Sequence, residues 1–316
     1  MNPLEPPPRS FDAAALAAWA RASRPGFLLV TAGAVAVGAS QALACGCGWN
    51  AGTAAASLLL ALLVHAAVNL YNDYGDAVGG SDAINEERLT PFSGGSRAIQ
   101  DGRFSATQVR DAAQMLALLV VGGGLLLAAK TGGGLLLIGL AGMALGYAYS
   151  SPRIALMSRG LGELSVGLGW WLIVVGADYV QRQAFSALAA VSGVSVALLV
   201  TGVLWVAEFP DARADAAVGK RTLVVRLGSR KAAWLYAAMV LAAHLWTWAW
   251  WQAQWLPTQA WWALGSAPLS LASAGLLLRR HDQVARLRPA VALAIAAAVL
   301  HELLLTAAFL SVAALR

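Results

Sequence analysis

An all-α, polytopic membrane domain is what the sequence predicts, on three observations. Hydrophobic residues fill 59% of the 316 positions and only 12% are charged. A soluble domain of this size carries roughly twice that charge density. Apolar runs close to the ~20 residues that span a bilayer recur along almost the whole chain. Lys and Arg gather in the short segments between these runs, so the net charge of +6 reflects topology and not a nucleic-acid surface.

The elements follow in order. Met1 to Pro8 is Pro-rich and polar and lacks the apolar core of a cleavable signal peptide. Phe11 to Arg21 is Ala-rich, and with Ser10 as its cap it predicts a short helix lying at the membrane surface. Residues 1–23 are thus a surface segment of a single domain covering 1–316. Nine spans are expected, near 27–45, 52–72, 112–129, 132–150, 161–181, 185–207, 232–252, 259–278 and 290–313. Lys130 and the turn from Thr131 to Gly134 divide the third from the fourth. The alternating segments of an outer-membrane barrel are absent. Cys45 and Cys47 suit neither a disulfide framework nor a zinc site, and are expected to act as small apolar side chains.

Orientation comes from the bases. Of 22 Lys and Arg, 19 fall in the N-terminal segment and in the loops after the even-numbered spans. The positive-inside rule places that side in the cytoplasm, with the protein in the inner membrane. Trp246, Trp248, Trp250, Trp251, Trp255, Trp261 and Trp262 cluster at the opposite end of the seventh and eighth spans, as an interfacial aromatic belt does.

Carboxylates are scarce and costly inside a bilayer, so their positions are informative. They collect in two places. One is Asn72-Asp73-Tyr74-Gly75-Asp76 with Asp82 at the end of the second span; the other is Glu208-Phe209-Pro210-Asp211 with Asp215 at the end of the sixth. Asn72 and Asp76 are four residues apart, as are Asp211 and Asp215, so each pair shares a helix face. Two such faces opposed would offer hard oxygen ligands suited to Mg²⁺ and, through it, a diphosphate. Gly94-Gly95-Ser96-Arg97 follows the first motif and Gly219-Lys220-Arg221-Thr222 the second, in the pattern of glycine backbone and base that binds phosphate. Tyr149, Arg153 and Gly160-Leu161-Gly162-Glu163 bring a third segment to the same side. Taken alone, an Asp pair at a helix end is usually a solvated cap and a Gly-Gly-Ser-Arg a turn. Their joint recurrence after spans two and six carries the weight, and it suggests two four-helix halves plus one helix around a central cavity. His65, His244 and His301 sit singly in apolar spans and are expected to be hydrogen-bonded core residues.

At these residues the chain resembles the UbiA superfamily of intramembrane prenyltransferases, from Arg24-Pro25 to the last span. The most specific stretches are Asn72 to Asp76, Asp211 to Asp215, and Gly219-Lys220-Arg221-Thr222-Leu223. Within the superfamily the likeness is nearest to the 1,4-dihydroxy-2-naphthoate prenyltransferases of menaquinone synthesis, because Asp82 follows Asp76 by six residues and the second motif runs into Gly-Lys-Arg-Thr-Leu. The resemblance implies Mg²⁺-dependent transfer of a polyprenyl group from its diphosphate to an aromatic acceptor. Asn72, Asp76, Asp211 and Asp215 would hold diphosphate-bound metal. Where the family has Asn this chain has Ala207, and the neighbouring Glu208 is the candidate substitute ligand. Ser96, Arg97, Arg153, Lys220 and Arg221 are the expected diphosphate contacts, and Asp73, Asp82, Tyr149 and Glu163 the candidates for acceptor orientation or proton removal. Two other readings stand beside this one. A terpene cyclase on the same fold would keep the metal site, and an ion-coupled transporter would hold its acids nearer the bilayer midplane.

Overall fold

The computed structural model describes residues 13–315, and among these every regular element is helical. The Ser10 cap lies outside the described residues. The helices are α1 (Ala13–Ala22), α2 (Pro25–Cys45), α3 (Ala51–Gly79), α4 (Ser81–Ile84), α5 (Ala106–Thr131), α6 (Gly134–Ser150), α7 (Gly162–Arg182), α8 (Ala187–Ala207), α9 (Ala212–Ala217), α10 (Leu223–Leu227), α11 (Ser229–Gln252), α12 (Ala267–Arg280) and α13 (Arg288–Ala314). A 3₁₀ stretch, Thr258–Ser266, leads into α12.

Among the described residues, eight helical segments are long and apolar enough to cross a membrane. The expected fourth span, α6, has 17 residues and falls short of the others. At 1.5 Å per residue it is roughly 25 Å long, the lower limit for the hydrocarbon core. The chain is a multi-pass membrane protein of all-helical fold.

Local chemistry sets the ends. Pro25 opens α2 where a missing N–H costs nothing, and Gly46 closes it in the left-handed conformation, φ 69°. The Asn50 side chain accepts from Thr53 N at 2.9 Å to start α3. Ser105 and Gln108 form a capping box on α5. Helix α1 packs near the start of α5, its Trp19 ring stacked on Phe104 at 3.8 Å.

Cys45 and Cys47 depart from expectation. They are joined by a disulfide at the end of α2, and Arg182 Nη1 donates to both sulfurs at 2.9 and 2.8 Å. The left-handed Gly46 between them turns the chain back so that the two side chains meet. Arg182 also forms a two-point ion pair with the buried Asp178.

Helix α2 packs against α7 and α13, α3 against α5, and α8 against α7 and α11. Polar pairs stitch the interior faces of the helices together. His301 Nε2 meets Ser195 Oγ at 3.0 Å, His244 Nε2 meets Ser270 Oγ at 2.7 Å, and Gln41 Nε2 donates to Ser192 Oγ at 2.7 Å. His65 is likewise hydrogen-bonded, to Thr31 Oγ1 at 2.7 Å. Between α2, α3, α5, α6, α7 and α8 lies a cavity of about 500 Å³.

Candidate functional site

One end of the cavity is polar and the rest is not. Asn72, Asp76, Glu208, Asp211, Asp215 and Lys220 line the polar end, while Val64, Leu136, Met143 and Trp170 are typical of the walls. On α3 the lining runs from Ser57 to Asp76. At 1.5 Å per residue that is roughly 28 Å, so the cavity extends through most of a bilayer's hydrocarbon depth.

Helix α3 continues unbroken through the first motif, so Asn72 and Asp76 share a face as the spacing requires. Asn72 Nδ2 donates to Asp76 Oδ2 at 3.1 Å and to Met157 Sδ at 3.1 Å. The second motif is built differently. Helix α8 stops at Ala207, ahead of Pro210, and Asp211 then begins the short helix α9 that carries Asp215. Asp215 N closes a helical turn onto Asp211 O at 2.8 Å, which again stacks the pair on one face.

A strap of residues 85–97 ties the two motifs together. Asn85 Nδ2 donates to Asp211 Oδ1 at 2.6 Å, and Gly94 N donates to Asp211 Oδ2 at 3.1 Å. Ser96 N donates to both oxygens of Asp73 at 3.3 Å. Gly95 sits at φ 70°, and a Cβ there would collide with the Asp82 carboxylate, so the strap closes only over glycine. The third segment joins through Leu223 N, which donates to Glu163 Oε1 at 3.0 Å, and Arg221 N, which donates to Ser158 O at 3.0 Å.

The site carries more carboxyl groups than cations. Lys220 Nζ lies 2.9 Å from Asp76 and 3.4 Å from Asp215, bridging the two motifs. Arg24, at the head of α2, pairs with Asp73 and reaches Asn72 Oδ1 at 3.3 Å. Burial, and then Asp76 and Asp73, push the Asp82 carboxyl up to about 7. Burial, with Asp76 and Asp211 and against Lys220, does the same to Asp215, also to about 7. Glu208 is raised well above the carboxylate range by burial and by the adjoining Glu163. Burial raises Asp211 despite its hydrogen bonds. For Lys220, burial is outweighed by Asp76 and Asp215, which hold it well above the usual lysine value.

The donor set fits a hard divalent cation. The acids and Asn72 offer oxygen donors, with the thioether of Met157 as a softer neighbour, and the cavity-lining Glu208 has a buried Oε2 with no hydrogen-bond partner. Lys220 stands between the motifs as the only nitrogen cation bridging them among the described residues. No three acidic, His or Cys side chains among the described residues form a ready-made cage. Lys220 bonds one Asp76 oxygen, and Asn85 and Gly94 bond the two Asp211 oxygens, groups that a metal would share.

The remaining expected residues separate into two groups. Tyr149 lines the cavity beside Met157, whereas Glu163 lies buried behind it on Glu208. Arg97 turns away, donating to Asp82 O at 2.5 Å, and Arg153 and Arg221 are exposed outside the cavity. The strap's Asn85 and the cavity-lining Arg24 and Met157 do work that the motif spacing did not reveal. Arg24 immediately precedes Pro25, and a lone base at the start of an apolar span was the available signal.

The model of the UbiA prenyltransferase family matches residues 27–296. The chain belongs to this family. It is 30% identical to a 1,4-dihydroxy-2-naphthoate octaprenyltransferase of Escherichia coli, over 91% of this chain and 93% of that one. A 2-carboxy-1,4-naphthoquinone phytyltransferase of Synechocystis is 27% identical over 72% of this chain and 71% of its own. The fold matches that of a UbiA homologue from Archaeoglobus fulgidus bound to DMAPP and Mg²⁺, with a TM-score of 0.68 at 15% identity, covering 94% of this chain and 99% of that one.

Proposed function

We propose that this UbiA-family protein transfers a polyprenyl group from its diphosphate to 1,4-dihydroxy-2-naphthoate, a step of menaquinone biosynthesis, at the cytoplasmic end of the inner membrane. The observation that carries the reading is the convergence of both acid motifs, cross-linked by Lys220, at one end of a long apolar cavity. The naphthoate specificity follows the curated relatives.

Asn72, Asp76, Asp211 and Asp215 would hold Mg²⁺, with Glu208 in place of the oxygen that Ala207 lacks. The ion would supply charge neutralisation of the departing diphosphate. Lys220 is the cavity-lining base that could turn from Asp76 toward a phosphate oxygen, whereas Ser96, Arg97, Arg153 and Arg221 do not line the cavity and would have to turn toward it to contribute. Arg24 and Asp73 brace the strap. The apolar walls bind the prenyl chain and keep water from the allylic carbon as its C–O bond breaks. Tyr149, which lines the cavity, and Asp73, Asp82 and Glu163, buried close to it, are the candidates for orienting the acceptor and taking its hydroxyl proton.

The purified protein incubated with geranylgeranyl diphosphate and Mg²⁺, with and without 1,4-dihydroxy-2-naphthoate, tests this. A prenylated naphthalene product that requires the acceptor is expected. A cyclised hydrocarbon formed without it would overturn the assignment in favour of a cyclase.

A further inference from the structure

Away from the cavity, the same end of the bundle carries a second charged feature. Arg230 and Lys231 open α11, Arg279 and Arg280 end α12, and Arg286 and Arg288 flank the start of α13. The first two loops are tied together by Ser229 Oγ and His281 Nδ1 at 3.0 Å. Asp282 is the only acid in this stretch of sequence from 279 to 288. The ion pairs formed among the described residues all lie elsewhere, on Arg24, Arg97, Arg110, Arg182, Arg213 and Lys220. Five of the six bases here are exposed, and Arg280 is half-buried.

Topology explains bases at this end of the bundle. It does not explain their gathering into one patch without carboxylate partners. Nor does it explain their position at the starts of α11 and α13, where the helix dipole disfavours cations. Both helices begin without a side-chain cap and without an acid in the first turn. An anion would satisfy bases and backbone together. Clusters of four to eight bases at the ends of membrane spans suit anionic phospholipid headgroups, and the patch lies where the spans leave the bilayer. We propose that this surface, formed by the α10–α11 and α12–α13 loops, is a binding site for the phosphate headgroup of an anionic membrane phospholipid. The site borders the catalytic end of the cavity: the Arg288 guanidinium lies 6.0 Å from the ring centroid of Phe92, a cavity-lining residue of the strap.

The test is native mass spectrometry of the full-length protein in detergent with equimolar phosphatidylglycerol and phosphatidylcholine. Wild type should retain phosphatidylglycerol in preference. The triple variant R230Q/K231Q/R279Q should bind it about a hundredfold more weakly, at roughly a factor of five for each base near the headgroup. A control triple, R21Q/R103Q/R159Q, removes the same charge from the same end outside the patch and should bind as wild type does. R230K/R279K should also keep the preference. Equal loss in both triples would show a diffuse field and overturn the site, as would unchanged retention in the first triple. Displacement of the lipid by millimolar inorganic phosphate would overturn the lipid as occupant. Unfolding is monitored by thermal midpoint, and because these side chains are exposed and outside ion pairs, neither triple should move it.

Discussion

The two acid motifs share a spacing and differ in construction. The first rides on a helix that continues to Gly79, so its geometry is that of α3 itself. The second lies past a helix end, where Pro210 interrupts α8 and a six-residue helix resumes. Each motif has a base from its own half, Arg24 on Asp73 and Lys220 on Asp215. Each also takes partners from the other: the first receives Lys220 on Asp76, and the second receives the Asn85 amide and Gly94 N–H on Asp211. Each half of the protein therefore completes the other's site. An Asp pair at a helix end becomes more than a solvated cap only when a second pair faces it.

This comparison can be broken most sharply by removing one acid from each side. Asp76→Ala and Asp211→Ala should each lower the turnover of prenyl transfer by on the order of a hundredfold or more, since each removes a stabiliser of the leaving group. Near-normal turnover in either would mean that one motif suffices. Next comes the bridge. Lys220→Gln leaves two buried carboxyl groups without their cation, and loss of one partner of a buried pair costs about 3–5 kcal/mol. The thermal midpoint in detergent without divalent metal should fall by several degrees, and added Mg²⁺ should narrow the gap to wild type.

A smaller effect is expected from pH. Asp82 and Asp215 are held at about 7 in the fold, against 3.8 for an unperturbed carboxyl. Between those values the folded protein binds more protons than the unfolded chain, so without metal its stability should decline as the pH rises through this window. Metal binding requires the deprotonated forms. Mg²⁺ should thus raise the midpoint more at about pH 8 than at about pH 6, and a pH-independent shift would place the metal away from these acids. The smallest effect concerns Glu208. Glu208→Gln should raise the Mg²⁺ concentration for half-maximal activity, while Asp282→Asn, outside both motifs, should not. Ala207→Asn should compensate in the double variant. A Glu208→Gln protein that matches the Asp282 variant would confine the second motif's ligands to Asp211 and Asp215.

Much of this architecture was legible because bilayer physics constrains the sequence. Apolar runs fix the helices, and the cost of burying charge makes each carboxylate conspicuous. The i, i+4 spacing correctly put Asn72 with Asp76, and hydrogen-bonded interiors were correctly expected for His65, His244 and His301. What escaped depends on contacts between distant segments. Cysteine spacing argued against a disulfide, yet left-handed Gly46 brings the two sulfurs together and Arg182, 135 residues on, donates to Cys47. Arg97 carries the charge of a phosphate ligand, but its φ of 66° and the Asp82 carbonyl turn it away from the cavity. The Gly94 N–H, expected to meet phosphate, is instead spent on Asp211. No local pattern encodes which of several nearby anions a backbone N–H will find.

The central claim is that both halves bind one metal–diphosphate unit. Titration of the detergent-solubilised protein with Mn²⁺ in the presence of a non-reactive prenyl diphosphate analogue, followed by electron paramagnetic resonance, tests it directly. The account predicts diphosphate-dependent Mn²⁺ binding in the wild type and its loss in Asp76→Ala and in Asp211→Ala alike. Full binding retained in either single variant would contradict it.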